Sequence, residues 1–255
     1  MSKYYLEKNY EKLNKIVDLN KYIEKHLWKV EEFKKKYLDK IILKVCDNIL
    51  CNYKINFYKN IEWDIDEEKY LNYLKKITSF ILENFENIES VENIKKLHLY
   101  IVSELKTSEK IKKEDIWVFR NVSKHMSWMS KSWKIIKRWL TGPKYISKEY
   151  KKILEYLQEK ITNWKDKEKF DAIITFIFYN LFVIHPFDNG NSKVFYLLLD
   201  ILLLKNNFFP LLIRKKEFYP RFLESFKSYT PNYNLEELKY NIYDDIIYIY
   251  SHYQI

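Results

Sequence analysis

The chain has 255 residues, a mass of 31.7 kDa and a net charge of +10, enough for one large domain or two small ones with a true core. Its 47% apolar content argues against wholesale disorder, and only 2 glycines and 5 prolines exclude collagen-like, linker-like and Gly-rich phosphate-loop designs. Cys46 and Cys51 make no disulfide framework and Met1–Glu7 has no apolar signal region, so the expectation is a soluble chain with reduced thiols, cytoplasmic or delivered into a host cytosol.

In chain order, apolar residues at three- and four-residue spacing predict amphipathic helix over about residues 4–45. A second helix is expected over Glu67–Glu83, opened by Asp64-Ile65-Asp66. A third starts near Glu89–Glu92 and passes through Leu97 and His98 to about Leu105. The Trp-rich stretch from about Ile116 to Lys144 reads as irregular or a short hairpin, ending at Gly142-Pro143. Helix returns at about Ser147–Trp164 and again over Asp166–Ile184, which is apolar on nearly all sides and therefore buried. After a polar loop, His185–Asn191, another apolar helix is expected over about Ser192–Lys205, then a turn at Pro210 and one or two closing helices. Ala172–Ile184 and Val194–Leu204 are the longest apolar stretches, and both are too short to span a bilayer. The fold class is mainly all-α.

The chemistry concentrates in His185-Pro186-Phe187-Asp188-Asn189-Gly190-Asn191-Ser192-Lys193, between two buried helices. Gly190 permits positive φ or close backbone approach. Asn191 or Ser192 can cap the next helix, whose first N–H groups offer an anion site beside Lys193. A base (His185), a potential metal ligand (Asp188 or Asn189) and an anion cradle together suggest phosphate chemistry with a histidine base. The alternative for these residues is a well-capped turn with a core histidine.

That loop resembles the signature of Fic-domain proteins, H-P-F-x-(D/E)-G-N-G-R-x-x-R. Ile94-Lys95-Lys96-Leu97-His98 resembles the family's early I-x-x-L-H helix, and Trp117-Val118-Phe119-Arg120 its G-x-(Y/F)-R segment. Phe208-Phe209-Pro210 falls where the family has a G-(Y/L/F)-P-P turn, so the similarity covers about Glu89–Ser228. The resemblance implies a Fic-type helical core with a short β-hairpin flap at about 122–143, preceded by a helical region. The implied division is 1–88 as an N-terminal helical region packed on the core, and 89–255 as Fic core and C-terminal helices.

It also implies a function. His185 would be the catalytic base that deprotonates a protein Ser, Thr or Tyr hydroxyl. Gly190, Asn191, Ser192, Lys193 and Tyr196 would face the nucleotide phosphates, and Asn189 or Asp188 would hold Mg²⁺. Pro186 and Phe187 would be structural. The group moved would be AMP from ATP, or another phosphate-containing group from another nucleotide, with the protein target docked at the flap. Four positions depart from the signature: Asn189 for the acidic metal ligand, Ser192 for the second glycine, Lys193 for the first arginine and Tyr196 for the second. Lysine keeps the charge but not the bidentate fork. The alternative is a catalytically impaired module that binds a nucleotide or a partner. A nucleic-acid surface, suggested by the charge and the interleaved Trp and Tyr, is a third reading, against which stand lysines scattered along the whole chain.

Many Fic proteins carry an inhibitory helix, (S/T)-x-x-x-E-(G/N). Ser79–Asn84 matches its letters, with Glu83 at the acidic position. By order along the chain, the slot falls instead on Asp47–Asn52, with Cys51 at that position.

Overall fold

The computed structural model describes residues 32, 34–51, 66–103, 118–129, 135–163, 166–208 and 210. The elements expected before residue 32, at Asn52, across 104–117 and after Pro210 lie outside them.

Helix α1 is described over residues 34–50. Ile42, Val45, Cys46, Ile49 and Leu50 recur at helical spacing and are fully buried. Helix α2 spans Glu67–Glu83, as the sequence predicts, because Asp66 caps it: its carboxylate accepts the Lys69 N–H at 3.1 Å. At its far end the Asn84 side chain donates to the Phe80 carbonyl. Helix α3, Val91–Ser103, is opened by Ser90, whose hydroxyl accepts the Asn93 N–H at 3.2 Å.

The Trp-rich segment forms a regular antiparallel hairpin. Strand β1, His125–Met129, pairs with β2, Ile135–Trp139, in the register His125 to Trp139 and Ser127 to Lys137. The Leu140 N–H closes its foot on the Lys124 carbonyl at 3.0 Å. A turn over Pro143–Tyr145 then leads into α4, Ile146–Asn163.

Helix α5, Asp166–Tyr179, and helix α6, Asn191–Lys205, pass through the centre of the core. Helix α5 packs against α4 and α6, and α3 against α6. The sequence reads α5 as running unchanged to Ile184. Its last stretch, Asn180–Ile184, instead widens into a π turn, with the His185 N–H on the Asn180 carbonyl at 2.8 Å. Helix α1 lies antiparallel along α6. Lys34 near its start donates to Asn207 at 2.6 Å and to the Leu204 carbonyl, while Ile49 near its end accepts from Lys193. Among the described residues, no helix is long and apolar enough to cross a membrane.

Candidate functional site

The π turn delivers His185 in the left-handed region, φ 48° and ψ 64°. A non-glycine residue there costs about 1–2 kcal/mol, so something must hold it. Arg120 does. Its guanidinium donates to the carbonyls of His185 (2.8 Å), Ile184 (3.0 Å), Val122 (2.6 Å) and Thr141. Its N–H donates to the Pro186 carbonyl at 2.8 Å. One buried cation thus joins both feet of the hairpin to the histidine. Thr141 adds a second tie, with N–H and hydroxyl both on the Val183 carbonyl.

The His185 side chain is half-buried, and its Nδ1 lies 3.0 Å from the Leu181 carbonyl. A carbonyl can only accept, so Nδ1 carries the proton and Nε2 keeps its lone pair. Burial pushes the imidazole pKa down, the Leu181 bond raises it, the Lys124 and Arg120 charges lower it further, and Asp188 raises it; the net shift is downward.

The rest of the loop is fixed from inside. Phe187 is fully buried, stacked on His98 at 3.9 Å with the rings 2° from parallel, and in contact with Phe119. Asn191 accepts the Phe187 N–H at 2.9 Å and donates to its carbonyl at 2.7 Å. Both ends of that amide therefore face the loop backbone, where the sequence reading had it capping α6 or facing phosphate. The capping position belongs to Gly190, which has no side chain to offer, and α6 starts at Asn191. Gly190 makes this possible with φ +77°. A Cβ there would stand 3.0 Å from Val102 Cγ1 and 3.5 Å from the His98 ring. Gly190→Ala is expected to cost about 2 kcal/mol, from left-handed strain plus overpacking. Thermal denaturation should show Tm lower by about 4–8 °C.

Lys193 is buried, with Nζ 3.3 Å from the Ile49 carbonyl at the end of α1. Tyr196, in the second-arginine position, is buried in the core cluster. Ser192 is half-buried in the first turn of α6. Pro186 is buried and gives its carbonyl to Arg120. Asn189 is exposed; its Oδ1 accepts the Gly190 N–H at 2.8 Å and its carbonyl receives His98 Nε2 at 2.9 Å. Asp188 pairs with Lys124, Oδ1 to Nζ at 2.9 Å, and Lys124 also donates to the Asp188 carbonyl.

A Mg²⁺ ion binds through one or two carboxylates plus phosphate oxygens, in near-ideal octahedral geometry. The loop offers one carboxylate, already neutralised by Lys124, and an amide oxygen turned onto its own backbone. Among the described residues no three His, Cys, Asp or Glu side chains gather to hold a metal ion. This donor set does not fit a resident Mg²⁺.

A family model described as "Fic/DOC family" matches residues 88–203. Residues 88–203 are a Fic/DOC-family domain. The chain is similar in fold to a Fic-domain-containing signaling protein from Bacteroides thetaiotaomicron VPI-5482, with TM-score 0.56 and 13% identity over 93% of this chain and 91% of that one. It is similar in fold to a Fic-1 segment from C. elegans, with TM-score 0.55 and 12% identity over 94% of this chain and 70% of that one. No curated protein matches the chain.

Within the Fic/DOC domain, the mainly helical core with its β-hairpin is as expected from sequence. The structure brings His185–Lys193 together with three residues that sequence reasoning gave no role in chemistry. Arg120 was visible only inside a resemblance. His98 was likewise visible only inside the early-helix resemblance, and here it holds the loop. Lys124 carried no signal, being one lysine among many in a basic chain. The two inhibitory slots are also separated. The end of α1, carrying Cys51, adjoins the start of α6, while the turn after Glu83 adjoins its far end, where Lys205 donates to the Glu86 carbonyl.

Proposed function

We propose that this protein transfers a phosphate-containing group, AMP from ATP first among the candidates, to a Ser, Thr or Tyr hydroxyl of a protein target. The observation that carries the reading is the contact of His185 Nδ1 with the Leu181 carbonyl at 3.0 Å. With Nδ1 donating to the Leu181 carbonyl, Nε2 of the neutral imidazole is an unprotonated acceptor on the loop that leads into α6. Its lowered pKa keeps it neutral at neutral pH. Nε2 takes the hydroxyl proton, the hydroxyl oxygen attacks the α-phosphorus, and the bond to the leaving pyrophosphate breaks. The N–H groups of Asn191 and Ser192, at the start of α6, meet the negative charge. The target lies along the hairpin, where Trp139 is 72% exposed.

The test is mass spectrometry of purified protein and cell lysate with a donor panel of ATP, GTP, UTP, CTP and CDP-choline. A donor-dependent mass gain, absent in His185→Ala, is the expected result. No gain with any donor would overturn the reading. The site would then be a binding module without chemistry, a reading that the buried Tyr196, in place of a phosphate-binding arginine, favours.

Regulation by Glu83 is not part of this proposal. Glu83 is exposed at the end of α2, and the turn that follows it adjoins the end of α6 opposite to the His185 loop. Glu83→Gly should leave the rate of donor-dependent transfer within about twofold of the parent, as for a surface change outside the site. A sharp rise in that assay would restore Glu83 as an inhibitor.

A further inference from the structure

The reading above leaves a charge problem. A nucleotide donor brings several negative charges, and in this loop neither Asn189 nor Asp188 is disposed to hold a cation against them. Lys193 is buried, with its ammonium on the Ile49 carbonyl. Tyr196 brings no charge. Arg120 is buried and spends its guanidinium on backbone carbonyls. Among the described residues, the cation that reaches the loop from a partly exposed position is Lys124, which stands at the foot of β1 with its backbone carbonyl holding Leu140. Its ammonium contacts Asp188 through both carboxylate and carbonyl, two residues before Gly190.

We propose that Lys124 is a phosphate-binding cation of this site, exchanging the Asp188 carboxylate for the diphosphate of a nucleotide donor, and that this binding needs no divalent metal. The proposal rests on the reading of the loop as a phosphate site. Three observations carry it. The Lys124–Asp188 pair is partly exposed, with side chains 31% and 22% accessible, so the ammonium can leave a weak ion pair for a multiply charged ligand. The ammonium reaches the loop itself, at Asp188, between the histidine and the start of α6. Asn189, in the position of the metal ligand, turns its amide oxygen onto the Gly190 N–H, and among the described residues no three His, Cys, Asp or Glu side chains gather to hold a metal ion. Lys124 is also near enough to His185 for its charge to lower the imidazole pKa.

In this arrangement Asp188 is a competitor of the ligand, which gives the test opposite signs for the two partners. Isothermal titration of the full chain with sodium pyrophosphate and with ATP, in EDTA and in millimolar Mg²⁺, measures it. Binding in EDTA should be no weaker than with Mg²⁺. Lys124→Met should weaken it about tenfold, the value of one charge-assisted phosphate contact. Lys124→Arg should restore it. Asp188→Asn should tighten it, by freeing the ammonium. A merely structural ion pair would move Lys124→Met and Asp188→Asn in the same direction. Should Lys124→Met fail to fold, the sign of Asp188→Asn still decides.

Binding that appears only with Mg²⁺, or that Asp188→Asn weakens, would overturn the proposal, and the two together would make Asp188 a metal ligand. Absence of binding to the parent under every condition would overturn it too. The two readings fail separately. His185-dependent transfer without any Lys124 dependence of pyrophosphate binding removes only this inference. Lys124-dependent binding without transfer from any donor removes only the proposed reaction.

Discussion

Arg120→Ala is expected to lower the stability of the chain by about 3–5 kcal/mol, among the largest effects of any single substitution here. The guanidinium is 2% exposed and serves four carbonyls from three separate segments. Alanine leaves these acceptors without a donor in a site that water does not reach freely, and each buried orphan costs about 1–3 kcal/mol. Lysine is a poor substitute. Its single ammonium cannot reproduce a planar fork bonded on several sides, so Arg120→Lys should recover less than half of the loss. Urea denaturation measures both variants, through the midpoint at unchanged slope. A loss below about 1 kcal/mol for the alanine variant would mean that those carbonyls find other partners.

The second large effect concerns the base. His185→Ala should reduce donor-dependent transfer by about 10²–10⁴-fold, the usual contribution of a positioned general base. The pH profile tests the same assignment without a cavity. Only neutral imidazole can take a proton. Burial, then the Lys124 and Arg120 charges, push its pKa below the ordinary 6.5. The rate should therefore be flat through neutral pH and fall only in more acidic solution. Removing the positive charge of Lys124 should move that acid limb upward in pH, and removing the negative charge of Asp188 should move it downward. The same shift has a stability sign. A histidine whose folded pKa lies below its unfolded value contributes stability above the unfolded pKa, and loses it as pH falls through the folded pKa. An acid limb at or above 6.5 in single-turnover assays would remove His185 from the role.

Several elements were legible because their signals are local. Asp66 and the spacing of Tyr70, Tyr73, Leu74 and Ile77 mark the start and the buried face of α2. Ser90 marks the start of α3, and Gly142-Pro143 marks the end of the hairpin. The loop stood out because so many chemically able side chains interrupt two apolar runs. What stayed hidden depends on tertiary partners. The π turn at Asn180–Ile184 leaves no trace in a segment that is apolar on every side. Asn191 looked like a cap because asparagine often is one; Phe187 claims both ends of its amide, and Gly190 takes the position. The role of Arg120 spans 65 residues to His185, and that of Lys124 spans 64 to Asp188. No periodicity or spacing rule reaches that far.

The antiparallel course of α1 along α6 bears on how this domain could travel between proteins. The recognisable stretch begins at residue 88, yet Ile42, Val45, Cys46, Ile49 and Leu50 of α1 share one continuous core with α6. So do six buried positions of α2. A segment cut out at the family boundary would carry its signature intact and present the apolar flank of α6 to water. The unit that a gene fusion must inherit is therefore larger than the unit a signature search outlines, because the helix whose Ile49 carbonyl receives Lys193 lies upstream of every residue that identifies the fold.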